Sequence, residues 1–352
     1  MDMDRIRVLE NLPERDLSHQ IQEVKNRQKK ELCLLAHHYQ RKRITELADF
    51  VGDSYSLSLN ASKASDAKFI VFAGVRFMAE SAAILCRPDQ VVLHPDPEAG
   101  CPMADMASMT EVNRAWNYFG GNSQIVPVTY MNSTADLKSF CGERGGTICT
   151  SSNASKTFEW AFKKGRQIFF FPDEHLGRNT ALKFGIEPDE IAVWDPEKSD
   201  GGEPEAYTEA KVILWRGYCP VHMKFTVRDI EHVRKFYPRS KIIVHPECTS
   251  DVVSKADAVG STEFIKNYVE RSNAGDELFI GTEINLIQNL QARFPDRLIT
   301  KLHRSLCLTM YQITMGRLLY TLENLDSFER VEVSDSTKHF ARVALDRMLS
   351  LN

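Results

Sequence analysis

The sequence predicts an α/β protein made of three similar αβα sandwich domains with small parallel sheets, related by pseudo-threefold symmetry around a central active site. Three observations carry that expectation. Short β-branched runs alternate with helix-length segments, the pattern of βαβ units and a parallel sheet. Three of those runs end in a ring residue followed two positions later by a second polar group: His37 and Tyr39, Tyr130 and Asn132, His245 and Glu247. The spacing then recurs, with 17 residues from His37 to Ser54 and from His245 to Thr262, and 21 from Tyr130 to Ser151. A unit repeated three times covers its apolar faces with its neighbours.

In chain order, residues 16–31 read as a capped surface helix with Ile21 and Val24 inward. Its basic cluster from Lys25 to Lys30 reads as a solvated face. The strand Leu34-Leu35-Ala36 delivers His37-His38-Tyr39, and a helix carrying Ile44, Leu47, Ala48 and Val51 follows. Gly52-Asp53-Ser54 opens a second helix to Lys63. Strand 69–73, helix 77–85 and strand 91–93 then run into Glu98-Ala99-Gly100-Cys101. The second copy begins with Ile125–Thr129 and passes through Cys149-Thr150-Ser151 to strand 168–171, closing with strand 212–215 and Cys219. The third starts with Lys241–Val244, continues through Ser261-Thr262 to strand 278–280, and ends with strand 298–300 and Cys307. The expected domains are 1–122, with 308–352 packing on it, then 123–238 and 239–307. From hydroxyl to closing cysteine the intervals are 47, 68 and 45 residues. The longer one holds the Gly/Pro/acidic segment Asp195–Glu209, which reads as a surface insertion.

With 43% hydrophobic residues and 352 positions, the chain can build more than one core. A net charge of -4 argues against a nucleic-acid partner, which selects a basic face. No stretch approaches 18 consecutive apolar residues, so no membrane span is expected. The acidic start, Met1-Asp2-Met3-Asp4, lacks the apolar core of a signal peptide and points to the cytoplasm. Disulfides are rare there, so eight cysteines imply packing, a metal or reactivity.

Taken singly, each cysteine reads as a small buried hydrophobe, and Cys33 and Cys86 in apolar surroundings keep that reading. Cys101, Cys219 and Cys307 differ because each closes one copy of the repeat. Three thiolates at one axis suit a soft metal and leave a coordination position open for Lewis-acid work. On ligand chemistry a three-cysteine zinc and a [4Fe–4S] cluster fit equally well. At the strand ends, residues i and i+2 share a side, which pairs His37 with Tyr39, Tyr130 with Asn132 and His245 with Glu247. Ser54, Ser151 and Thr262 each precede a helix, where a hydroxyl and backbone N–H groups cap the helix or hold a phosphate or carboxylate. With no Walker A or GxGxxG motif, the expected ligand is a small anion, with no nucleotide cofactor.

These segments resemble the quinolinate synthase family (NadA) over nearly the whole chain. The carriers are Ala36-His37-His38-Tyr39-Gln40, Asp49–Ser54, Phe72–Glu80, Glu98–Cys101, Asn132–Ala135, Cys149–Ala154, Pro172–Arg178, His245–Cys248 and Ser261-Thr262. The resemblance implies condensation of iminoaspartate (iminosuccinate) with dihydroxyacetone phosphate to quinolinate, in de novo NAD biosynthesis beside L-aspartate oxidase. It implies a [4Fe–4S] cluster on Cys101, Cys219 and Cys307 with one iron open to substrate. It places His37, Ser54, Tyr130, Asn132, Ser151, His245, Glu247 and Thr262 at the substrate and Tyr39 in the acid–base steps, and the residue chemistry adds the expectation that Glu247 and Tyr39, backed by His245, move the protons. His38 stands where many members have Asn. A zinc hydrolase or a cluster-based sensor are the rivals; the paired acid–base groups speak against a sensor, which has no use for them.

Overall fold

The computed structural model describes residues 2–64, 66–121 and 123–351, so the expected domain limits at 1, 122 and 352 lie outside the described residues. The fold contains three small, all-parallel sheets flanked by helices. The chain divides into two compact units, one of residues 1–101 and 306–334, the other of 102–305 and 335–352.

The first unit holds strands β1 (Leu32–His37), β2 (Phe50–Gly52), β3 (Phe69–Ala73) and β4 (Val91–Leu93), in the order β2-β1-β3-β4. β1 and β3 are buried along their whole length, which is why they read as continuous apolar runs and not as alternating ones. Leu34, Val71 and Leu93 pack with Leu17, Ile21 and Val24 of the helix Glu14–Gln28 and with Leu318, Leu319 and Leu322 of the helix Met315–Glu323. Gly316 lets that last helix approach the N-terminal helix Met3–Glu10, since a Cβ there would lie 2.7 Å from Glu10 Cγ.

Two local expectations change here. The helix after β1 spans only Lys42–Leu47, and Val51 belongs to β2, where its β-branched side chain fits an edge strand. Lys25 is not on a solvated face. Its Nζ lies 2.7 Å from Asp49 Oδ1 and donates to Leu47 O at 2.5 Å, tying the helix to the crossover between β1 and β2.

The second unit holds two sheets. One contains β5 (Ile125–Tyr130), β6 (Thr147–Cys149), β7 (Gln167–Phe171), β8 (Ile191–Trp194) and β9 (Val212–Trp215), ordered β6-β5-β7-β9-β8. The other contains β10 (Lys241–Val244), β11 (Ala258–Val259), β12 (Glu277–Gly281) and β13 (Leu298–Lys301), ordered β11-β10-β12-β13. All three sheets therefore share one order (second, first, third, fourth), and the middle copy adds β8 outside β9. The likeness extends to single hydrogen bonds. Asp49 Oδ2 accepts from Leu34 N at 2.7 Å, and Asp257 Oδ2 accepts from Ile242 N at 2.7 Å, each acid 15 residues after its donor.

The segment expected as a surface insertion is mostly exposed, and Tyr207 anchors it to the core beside Trp194, the last residue of β8. Trp194 and Tyr207 are buried in the same cluster as Phe169 and Trp215, and the Tyr207 hydroxyl donates to Val193 O at 3.2 Å. Its Gly- and acid-rich stretch is a connection between the edge strand and that tyrosine anchor.

The C-terminal residues, expected on the first unit, divide at Ser334. The helix Asp335–Ser350 lies on the helix Ala135–Glu143 and on β6. A Cβ on Gly142 would overlap the Phe340 carbonyl, so glycine is what allows this backbone approach. Asn153 Nδ2 donates to Met348 O at 3.4 Å, and Ala341, Ala344, Leu345 and Met348 are buried. No helix among the described residues is long and apolar enough to cross a membrane.

Candidate active site

In a parallel sheet the carboxyl ends of the strands present the ligand-binding groups. In the second unit the loops after β5, β7, β9, β10 and β12 bring such groups into one buried array. Glu247, three residues past the end of β10, is its centre. Its Oε1 accepts from the Tyr130 hydroxyl at 2.5 Å, and its Oε2 lies 2.7 Å from His222 Nδ1. The His222 Nε2 lies 3.1 Å from Thr282 Oγ1. His245 stacks on His222, with ring centroids 4.3 Å apart and 16° between planes. The turn is clamped by Asn179, whose Nδ2 donates to Pro246 O and Cys248 O, both at 2.8 Å. Ser151 hydrogen-bonds the Tyr130 phenol as well.

The charge state of this array follows from its burial and its bonds. Desolvation alone would raise the Glu247 carboxyl, but His245, His222 and the two hydrogen bonds outweigh it and hold the group well below the ordinary carboxylate range. Burial and the Glu247 charge push the Tyr130 phenol well above its usual value, so it remains a donor. Burial, with His222 beside it, brings His245 down to about 3, and the ring is neutral at physiological pH. Asp173, fully buried after β7, is pushed well above the usual range by desolvation and by Glu247. Its Oδ2 has no hydrogen-bond partner among the described residues, so nothing offsets the cost of a charge on that oxygen. Of the two buried carboxyls, Glu247 thus favours the ionised form and Asp173 the protonated one.

Asn132 is half-buried two residues past Tyr130, and Thr262 is buried as the first residue of the helix Thr262–Arg271. Capping of that helix falls to Ser261, which accepts from Phe264 N at 3.2 Å. The first unit repeats the arrangement: Ser54 opens the helix Ser54–Lys63, but Asp53 is its cap, accepting from Ser56 N at 2.9 Å. Ser54 and Thr262 thus sit one residue inside their helices, at positions where N-capping does not use their hydroxyls. His37 and His245 are also alike. Each takes a backbone N–H on Nδ1 from the residue two ahead, Tyr39 at 3.2 Å and Glu247 at 3.3 Å. In a neutral ring this puts the proton on Nε2. Tyr39 lies edge-on to His37, with centroids 4.6 Å apart.

The cysteines separate into two groups. Cys33, Cys86, Cys141, Cys149 and Cys248 are buried, whereas Cys101, Cys219 and Cys307 are half-buried. Burial pushes the Cys33 thiol up to about 12 and also raises Cys141, Cys149 and Cys248. The three half-buried cysteines are the set the repeat selects. Cys219 also belongs to a second possible set: its sulfur, a His222 nitrogen and a Glu247 oxygen lie within 4.8 Å of one another and could hold a metal ion.

Reasoning from the sequence missed His222, Thr282, Asp173 and Asn179 as members of the array. Carrying the repeat to the third strand of each copy points to two of them, because Asp173 follows β7 as Thr282 follows β12. Nothing local marks His222 or Asn179.

A lone buried carboxylate held between a phenol and an imidazole, on the loop side of parallel sheets, is the equipment of an enzyme that moves protons on a small substrate. The comparisons with known proteins agree. The family model NadA, described as quinolinate synthetase A protein, matches residues 19–350. The quinolinate synthase of Acidobacterium capsulatum is 48% identical over 97% of this chain and 94% of its own length. That of Geobacillus kaustophilus is 44% identical over 99% of both, and that of Corynebacterium glutamicum 46% identical over 96% of this chain and 88% of its own. The chain belongs to the quinolinate synthase family and is an enzyme of that kind.

Proposed function

We infer that this enzyme condenses iminoaspartate with dihydroxyacetone phosphate to give quinolinate, phosphate and two waters, in the cytoplasm, as a step of de novo NAD biosynthesis. The atoms balance with no oxidant or reductant. The observation that carries this reading is the array around Glu247: an ionised carboxylate beside a phenol that stays protonated, in a chain that matches the family over residues 19–350. Cys101, Cys219 and Cys307 would hold a [4Fe–4S] cluster, whose remaining iron supplies Lewis-acid assistance to dehydration.

The other roles belong to the chain's own side chains. Glu247 takes a proton from the substrate carbon or nitrogen, with His245 beside it as a neutral donor through Nε2. Tyr39, edge-on to His37, serves as the other acid–base group. Tyr130, Asn132, Ser151 and Thr262 in the second unit, and His37 and Ser54 in the first, offer donors to carboxylate and phosphate oxygens. Ser54 and Thr262 suit this because Asp53 and Ser261 already cap their helices. The partners are small molecules, with L-aspartate oxidase supplying the imine.

The test is anaerobic incubation of iron-loaded protein with aspartate, L-aspartate oxidase and dihydroxyacetone phosphate. Quinolinate release supports the reading. No quinolinate from protein carrying about four irons per chain refutes it.

A further inference from the structure

Three side chains in the loops after β9 and β10 carry different donor atoms and converge. The Cys219 sulfur, a His222 nitrogen and a Glu247 oxygen lie within 4.8 Å of one another. Cys219 and His222 share one turn, closed where His222 N donates to Cys219 O at 3.1 Å. The His222 nitrogen on the Glu247 side is Nδ1, 2.7 Å from Oε2. Tetrahedral zinc, with bonds of about 2.0–2.3 Å, needs its ligand atoms about 3.3–3.6 Å apart. Side-chain shifts on the order of 1 Å reach that geometry from this one.

We propose that Cys219, His222 and Glu247 form a zinc site in chains without an iron–sulfur cluster, and that zinc held there blocks cluster uptake. One thiolate and one carboxylate cancel the charge of Zn²⁺, which suits a place where His222 and Glu247 are buried. A sulfur, nitrogen and oxygen set selects zinc over magnesium and calcium, which take oxygen ligands. The outer partners are already in place. Glu247 keeps its other oxygen on the Tyr130 hydroxyl at 2.5 Å, and His222 Nε2 lies 3.1 Å from Thr282 Oγ1. Without metal, the ring donates from Nδ1 to the carboxylate, which only accepts. When zinc takes Nδ1, that proton moves to Nε2 and is donated to Thr282, while the Cys219 thiol proton leaves to solvent. No electron is transferred. Cys219, half-buried, gives the ion its way in. The block rests on the reading above, in which Cys219 holds the cluster; the zinc site itself does not.

The test uses the full-length chain stripped of iron and titrated anaerobically with Co²⁺, the coloured stand-in for zinc, and then with Zn²⁺. Wild type should show a thiolate-to-cobalt charge-transfer band and the visible bands of a tetrahedral site, and Zn²⁺ should remove both. Cys101→Ser and Cys307→Ser should keep these bands, whereas Cys219→Ser should lose the charge-transfer band. His222→Ala should bind more than about 100-fold more weakly, since even an outer partner is worth about 10- to 100-fold. If His222→Ala misfolds, Glu247→Gln, which keeps the side-chain shape, must show the same weakening. Bands lost in Cys101→Ser or Cys307→Ser, or undiminished affinity in His222→Ala and Glu247→Gln, put the ion on the three cysteines and overturn the site. So does a wild type without the thiolate band. Zinc-loaded wild type should stay colourless on reconstitution with iron and sulfide, and turn brown once a chelator removes the zinc. Full cluster uptake with zinc still bound overturns the block. Failure of iron-loaded protein to release quinolinate would instead overturn the reaction and leave the cobalt spectra as they are.

Discussion

Replacing Glu247 by Gln changes charge with the least change in shape, and the structure sets what should follow. The wild-type carboxylate accepts from Tyr130 at 2.5 Å and stands 2.7 Å from His222 Nδ1. Hydrogen bonds to a charged group contribute about 1.5–3 kcal/mol and neutral ones about 0.5–1.5, so two bonds lose about 2–3 kcal/mol together. Against this, the variant no longer buries an ion, whose desolvation costs several kcal/mol in real proteins. His222 can also present an unprotonated Nδ1 to the new amide, with Nε2 donating to Thr282. Because the wild-type group is held below the ordinary range, its bonds outweigh the desolvation, and the variant's thermal midpoint should fall at neutral pH. Turnover should respond very differently, because removing a general base costs about 10²- to 10⁴-fold, equal to about 3–5 kcal/mol of barrier. Quinolinate formation by iron-loaded protein is the assay. A kcat within tenfold of wild type, at unchanged iron content, would refute the assignment. The pH dependence of stability supplies a second check. Glu247 is held below its unfolded value, so its stabilisation is present above about pH 4.3 and is lost as the pH falls through its folded value. Wild type should therefore lose stability faster than Glu247→Gln in acid.

Three further outcomes can be measured. Serine at Cys101, Cys219 or Cys307 should abolish bound iron and the brown colour of anaerobically prepared protein, while Cys33→Ser and Cys86→Ser should retain both. Gly142→Ala should cost about 1–3 kcal/mol by overpacking against the Phe340 carbonyl, seen as a lower melting midpoint and faster proteolysis of the C-terminal helix. Asp173 is raised by burial, so the folded state holds its proton and is progressively disfavoured as the pH rises above the unfolded value. Asp173→Asn keeps an acceptor for His175 N, 2.8 Å from Oδ1. Its stability relative to wild type should thus increase from pH 4 towards neutrality, and Asp173→Ala should instead lose about 1 kcal/mol of capping.

How much of this was legible in the chain varies by element. The run Lys241–Val244 and the run Phe69–Ala73 are strands with those bounds, because buried parallel strands demand unbroken apolar sequence. Val51 misled because its spacing from Ile44, Leu47 and Ala48 fits a helix, while the chain turns at Ala48 and pairs Val51 with Ala36 of β1. Tyr207 was hidden in polar, glycine-rich surroundings, since composition averages over a window and one anchoring ring does not change the average.

The amino-acid order by itself determined the repeat, the strand ends that carry His37, Tyr130 and His245, and the three cysteines set apart from the other five. Those are local properties, written in spacing and in the residue type at a strand's carboxyl end. Only the tertiary structure decided that Glu247 is bonded to Tyr130, 117 positions away, and to His222, 25 positions away, and that Thr282 stands behind the imidazole. Sheet pairing and loop packing set those distances, and the charge states follow from them: burial and hydrogen bonding are features of the folded neighbourhood, not of the residue.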